Sequence, residues 1–69
     1  MAEHISKPGN LIRQRQVSEK TGIGKSSIHA LMARGLFPQE IILAGGKAVA
    51  WLESEIDEWI TQQVTKSRQ

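Results

Sequence analysis

Residues 15 to 35 read RQVSEKTGIGKSSIHALMARG, and the placement of apolar residues and glycines in this stretch decides the fold. Residues 15 to 22 are weakly apolar around Val17 and end on Gly22, whose missing Cβ suits the left-handed position after a helix; they predict a helix of two turns. Residues 25 to 34 place Ile28, Leu31 and Met32 at i, i+3 and i+4, the period of a helix, with Gly35 as the stop and Pro38 three residues beyond. Only Gly22, Ile23 and Gly24 separate the two. A link so short and glycine-rich forces a steep crossing around the shared apolar residue Ile23, which is a helix-turn-helix pattern.

Downstream the pattern changes. Glu40-Ile41-Ile42-Leu43 and Ala48-Val49-Ala50-Trp51 are β-compatible runs separated by Ala44-Gly45-Gly46-Lys47, where two central glycines supply the positive φ angles of a hairpin turn. Leu52, Ile56, Trp59, Ile60 and Val64 then form one apolar stripe, which predicts an amphipathic helix of about three turns. Its first turns hold Glu53, Glu55, Asp57 and Glu58, suited to the positive end of the helix dipole, so the cluster reads as structural rather than catalytic. Upstream, Ser6-Lys7-Pro8-Gly9-Asn10 is turn-forming and aperiodic. The expected organisation is a loose arm over 1–10, one domain over 11–64 and a frayed polar tail over 65–69. The expected fold is mainly α with a small β-hairpin: a winged helix-turn-helix with the hairpin as wing.

Composition narrows the chemistry. Sixty-nine residues, 39% hydrophobic and 23% charged, form a single small domain that buries only ~60% of its unfolded surface, too little for the deep cleft of most enzymes. Without cysteine there is no thiolate nucleophile, and two isolated histidines cannot complete a zinc site. No metal, cofactor, enzymatic activity or small-molecule substrate is expected. No apolar run approaches the ~20 residues that span a bilayer, and the first residues lack a signal-peptide core, so a cytoplasmic protein without membrane contact is expected. The net charge of +2 hides an asymmetry: residues 1–38 carry six basic and two acidic side chains, residues 39–69 three basic and five acidic. The N-terminal half is the candidate polyanion-facing surface, although scattered surface cations also serve solubility.

TGIGKSS at 21–27 ends like a phosphate-binding loop, but that motif needs a glycine five positions before Gly24, where this chain has Glu19, and a large parallel sheet behind it. The reading fails. On the helix over 25–34, Ser26, His29, Ala30 and Ala33 lie opposite the apolar stripe, with Lys25 and Ser27 flanking at the first turn. Such a face of small side chains lets a helix approach a partner closely. Ser, His and Lys offer donors to base edges or phosphates, and an alanine methyl can lie against a thymine methyl. The candidate DNA-binding residues are Lys25, Ser26, Ser27, His29, Ala30 and Arg34, with Lys47 at the hairpin tip, where two glycines let the backbone near a DNA strand. Trp51 and Trp59 could stack on bases, but both sit on apolar faces and are expected in the core. His4 has no evident partner and is assigned nothing.

Val17 with Thr21-Gly22-Ile23, Ser26-Ser27-Ile28, Gly35 with Phe37-Pro38, Gly45-Gly46-Lys47-Ala48-Val49-Ala50-Trp51, Glu55-Ile56 and Trp59 occur in an order that resembles AlpA-type prophage regulators. These are small relatives of the MerR-like winged helix-turn-helix and excisionase domains. The resemblance covers about residues 11–64. It implies a DNA-binding protein that activates transcription or supports excision of an integrated element, with RNA polymerase or an integrase as a conceivable partner. Lys25, Ser26, Ser27 and Lys47 fit the family pattern. Gly24, His29 and Ala30 depart from it, where members usually carry a capping residue, an aromatic and a basic side chain, which makes the groove-facing surface less basic.

The leading expectation is a sequence-specific regulator of a prophage or other mobile element. It would bind double-stranded DNA with the second helix in the major groove and the wing alongside. The alternative is a small adaptor or inhibitor that binds a host regulatory protein through the same exposed helix.

Overall fold

The computed structural model describes residues 9–69, so the predicted arm over 1–10 lies largely outside the described residues. The elements run β1 (Leu11–Ile12), α1 (Gln14–Thr21), α2 (Lys25–Ala33), β2 (Ile41–Leu43), a single 3-10 turn (Ala44–Gly46), β3 (Ala48–Leu52) and α3 (Glu53–Ser67). This is helix, turn, helix, hairpin, helix: the predicted winged-helix arrangement. Three corrections come with it. Asn10 is no part of a loose arm, because its carbonyl accepts the Glu53 N–H at 2.9 Å and its side-chain amide donates to Glu53 Oε1 at 2.6 Å. A third strand, β1, joins the hairpin in a sheet of order β1-β3-β2, antiparallel throughout, with Ile12 opposite Trp51 and Leu11 opposite Leu52. And α3 runs on to Ser67, so residues 65 to 67 are helical where a frayed tail was expected.

Local chemistry explains the junctions. Gln16 Oε1 accepts the Arg13 N–H at 2.9 Å and holds the entry to α1. At its exit Gly22 has φ 75°, a conformation that costs a residue with a Cβ about 1 kcal/mol or more, and its N–H returns to Ser18 O at 2.8 Å. Thr21 Oγ1 spans the turn, donating to Val17 O and accepting the Ile23 N–H. α2 ends in paired returns, Leu36 N–H to Leu31 O and Gly35 N–H to Met32 O, the Schellman arrangement that reverses the chain after a helix. In the hairpin turn Gly45 and Gly46 take φ 65° and 98° as expected, but Ala44 does so too, at 52°.

Ile12, Val17, Ile28, Phe37, Trp51 and Ile56 form the buried cluster, drawn from every layer of the fold. Ile23, Leu31, Met32, Val49, Trp59 and Ile60 pack around it, half-buried. In α2, therefore, Ile28 is fully enclosed while Leu31 stands at the core's margin. Val64, predicted on the apolar stripe, is 43% exposed, because α3 has by then passed beyond the sheet and α1. Both tryptophans serve packing. Trp51 is fully buried and its Nε1 donates to Pro38 O at 3.0 Å. Trp59 donates to Leu36 O at 2.9 Å and meets Phe37 edge-on, ring centroids 4.7 Å apart. The two indoles thereby pin the segment that links α2 to the wing.

Candidate nucleic-acid interface

α2 buries Ile28 and turns its other face outward. At 100° per residue Ser26, His29, Ala30 and Ala33 share that face, with Lys25, Ser27 and Arg34 at its margins, and all seven are exposed. The helix carries no acidic residue, and its exposed face has no side chain longer than histidine between Lys25 and Arg34. Its nine residues make a rod ~13.5 Å long at ~1.5 Å rise per residue, a size that enters a major groove ~12 Å wide. Backbone chemistry adds to the side chains. Hydrogen bonding along α2 starts with the Ile28 N–H on Gly24 O, and Gly24 brings no side-chain cap, so the N–H groups of Lys25, Ser26 and Ser27 stand at the positive end of the helix without an intrahelical acceptor. Three outward amides beside Lys25 and two serine hydroxyls make a phosphate-sized donor set.

Lys47 lies apart from this face. It follows the 3-10 turn at the tip of the β2–β3 hairpin, exposed, its N–H on Ala44 O at 3.3 Å. Among the described residues no hydrogen bond or ion pair links it to α2. The six helix residues are thus brought together on one element, and the seventh is carried on a second element that can reach a separate part of a long partner.

One cation of the basic half has a different role. Lys20, at the end of α1, lies 2.7 Å from Asp57 and 3.0 Å from Glu53 of α3. Hydrogen bonding to Asp57, then to Glu53, raises the Lys20 ammonium above its ordinary value. Hydrogen bonds from Lys20, then from Asn10, hold the Glu53 carboxyl below its own. The acidic start of α3 is thus a structural clasp joining α1, α3 and Asn10. Sequence reasoning identified the acids as structural but missed Lys20 as their counter-ion, a pairing across 33 positions that no local spacing signals. It also missed the bare amides of α2, for which the glycine at the cap position was the available sign. Arg15, in the same half, makes only a loose 3.5 Å contact with Glu19 one turn on, both well exposed.

Comparison with known proteins adds to this geometry. The family described as "Prophage CP4-57 regulatory protein (AlpA)" matches residues 10–64, nearly the whole of the described chain. The chain belongs to this AlpA family of prophage regulatory proteins. The match starts at Asn10, where the clasp starts, and takes in both helices of the turn, the wing and most of α3. Among relatives, the chain is 38% identical over 53 residues to the "Uncharacterized protein ORF88" of Enterobacteria phage P4, covering 77% of this chain and 59% of that protein. It is 34% identical over 59 residues to the "DNA-binding transcriptional activator AlpA" of Escherichia coli (strain K12), covering 77% of this chain and 83% of that one. The chain thus spans less than two thirds of the phage P4 protein. No solved structure gives a significant match.

Among the described residues no group of three or more His, Cys, Asp or Glu side chains could hold a metal ion. No helix among them is long and apolar enough to cross a membrane.

Proposed function

We propose that this protein is a DNA-binding transcriptional regulator of a prophage or related mobile element. It docks α2 in the major groove of double-stranded DNA and sets the hairpin turn against the flanking backbone. The observation that carries the reading is the outward face of α2: small, free of acids, and headed by three unbonded amides beside Lys25. Membership of the AlpA family and likeness to a relative named as a DNA-binding transcriptional activator support it.

On this reading Lys25 and the first-turn amides with Ser26 and Ser27 hold a phosphate and fix the register of the helix. His29 and Ala30 lie closest to base edges, where an imidazole donor and a methyl group discriminate among base pairs. Arg34, at the far end of the helix, and Lys47, on the wing, neutralise phosphates on either side. The work is binding rather than catalysis. Transcription activation and excision directionality both begin from this contact, and RNA polymerase or an integrase would be recruited to the complex it forms.

Anisotropy titrations with duplexes from the DNA flanking the gene, at several salt concentrations, test the proposal. Affinity should fall linearly on logarithmic axes with a slope of about −0.9 per phosphate neutralised, and should exceed that for a scrambled duplex. Absence of binding at low salt would overturn the reading.

A further inference from the structure

We infer that this chain pairs with a second copy of itself, α3 against α3 in antiparallel orientation about a two-fold axis, and that this contact covers both the protruding end of α3 and the groove at its base. The first observation is the end of the helix. Every residue from Thr61 to Gln69 is exposed although the helix continues to Ser67, and the apolar Val64 is 43% exposed within it. Two helical turns with nothing packed on them are marginal in water, because most helical stability comes from covering one face.

The second observation is the groove. Glu55, Glu58, Trp59, Gln62, Gln63 and Lys66 recur at intervals of three and one, which keeps them on one face of α3, and together they line one wall of an open cavity of about 1120 Å³. Leu36, 49% exposed, Phe37 and Ile41 belong to the opposite wall. So does Glu40, one of whose carboxylate oxygens is buried and receives no hydrogen bond. An apolar floor edged by three carboxylates calls for an apolar segment that brings cations, and it repels DNA.

Such a segment exists on the chain itself. Glu55 and Glu58 open the stripe, Lys66 closes it with Arg68 just beyond, and none of the four is in an ion pair among the described residues. Antiparallel pairing sets Lys66 and Arg68 of each copy over Glu55, Glu58 and Glu40 of the other, and lays the copy's Val64 into the groove. A two-fold axis makes each of these contacts twice. Parallel pairing would stack like charges instead. None of Lys25, Ser26, Ser27, His29, Ala30, Arg34 or Lys47 lines the groove, so the pair presents two free α2 faces.

Sedimentation velocity of the full chain, without DNA and over rising concentration, provides the test. The wild-type mass should double from 7.7 kDa. Glu55→Lys with Glu58→Lys should hold it at the monomer value, as should Lys66→Glu with Arg68→Glu, each with a wild-type circular dichroism melt because all four side chains are exposed. An equimolar mixture of the two variants should regain the doubled mass, since each reversed end then meets its complement. A wild-type chain that stays monomeric into the millimolar range overturns the inference, as do variants that dimerise like wild type or a mixture that stays monomeric. None of these outcomes depends on whether the protein binds DNA.

Discussion

Lys20 and Lys25 stand five residues apart on either side of the same turn, yet one is locked into the molecule and the other faces outward. Lys20 meets two carboxylates of α3 within 3.0 Å. Lys25 opens a helix without acids and is exposed. Formal charge counts the two alike. What separates them is whether α3 returns a carboxylate to their position, so the cations of a polyanion-binding surface are those the fold leaves unanswered. The difference between a clasp and an interface can be tested by substitutions that should move stability and DNA binding separately.

The largest effect expected is on α2's buried face. Ile28→Ala removes a fully enclosed side chain and should cost ~2 to 5 kcal/mol, a large share of the ~5 to 15 kcal/mol that holds most domains together. Thermal melts should show much of the chain unfolded, with DNA binding lost alongside. Leu31→Ala, at the half-buried margin, should cost about half as much. Equal losses at both positions would mean that the core closes over Leu31 in solution.

Next is the outward face of the same helix. Ser26→Glu combined with Ala30→Glu should leave the melting midpoint nearly unchanged while lowering DNA affinity ~100-fold or more, because carboxylates set against phosphates cost several kcal/mol. Undiminished binding by this variant would remove α2 from the groove and with it the proposed function.

A smaller change is expected at the wing. Lys47→Ala should weaken binding to all duplexes alike and flatten the salt slope by about one unit, the signature of a single phosphate contact. If the loss were confined to particular sequences, Lys47 would be reading bases.

The smallest effect belongs to the clasp. Lys20→Met should lower the melting midpoint slightly and leave DNA affinity where it was, whereas Lys25→Met should do the reverse. The pH dependence carries the sign. With its carboxyl held below 4.5, Glu53 contributes stability that is complete above that value and lost as pH falls through its lower native value. With its ammonium raised above 10.5, Lys20 contributes stability that is complete below that value and lost as pH rises through its native one. Melts in acid should therefore fall less steeply for Lys20→Met than for wild type, with Asn10 still supporting Glu53. Identical acid limbs would show that the clasp adds nothing to folding.

The sequence by itself determined the elements whose signals are local. Ile28, Leu31 and Met32 at helical spacing, Gly22 after α1, and Gly45-Gly46 between two β-compatible runs each act within a few residues, and each gave the expected helix, turn or hairpin. The outward face of α2 was legible for the same reason, since helical periodicity places Ser26 opposite Ile28 wherever the helix sits. Tertiary structure alone decided the rest. Two residues are too few to show a strand period, so Leu11 and Ile12 became β1 only because Leu52 and Trp51 stand opposite them. Lys20 became a clasp rather than a phosphate contact because Glu53 and Asp57 return beside it, and Asn10 was fixed by the same carboxylate. Val64 keeps the spacing of a core residue and yet is 43% exposed, because periodicity fixes which way a side chain points along a helix but not how far the layers beneath it extend.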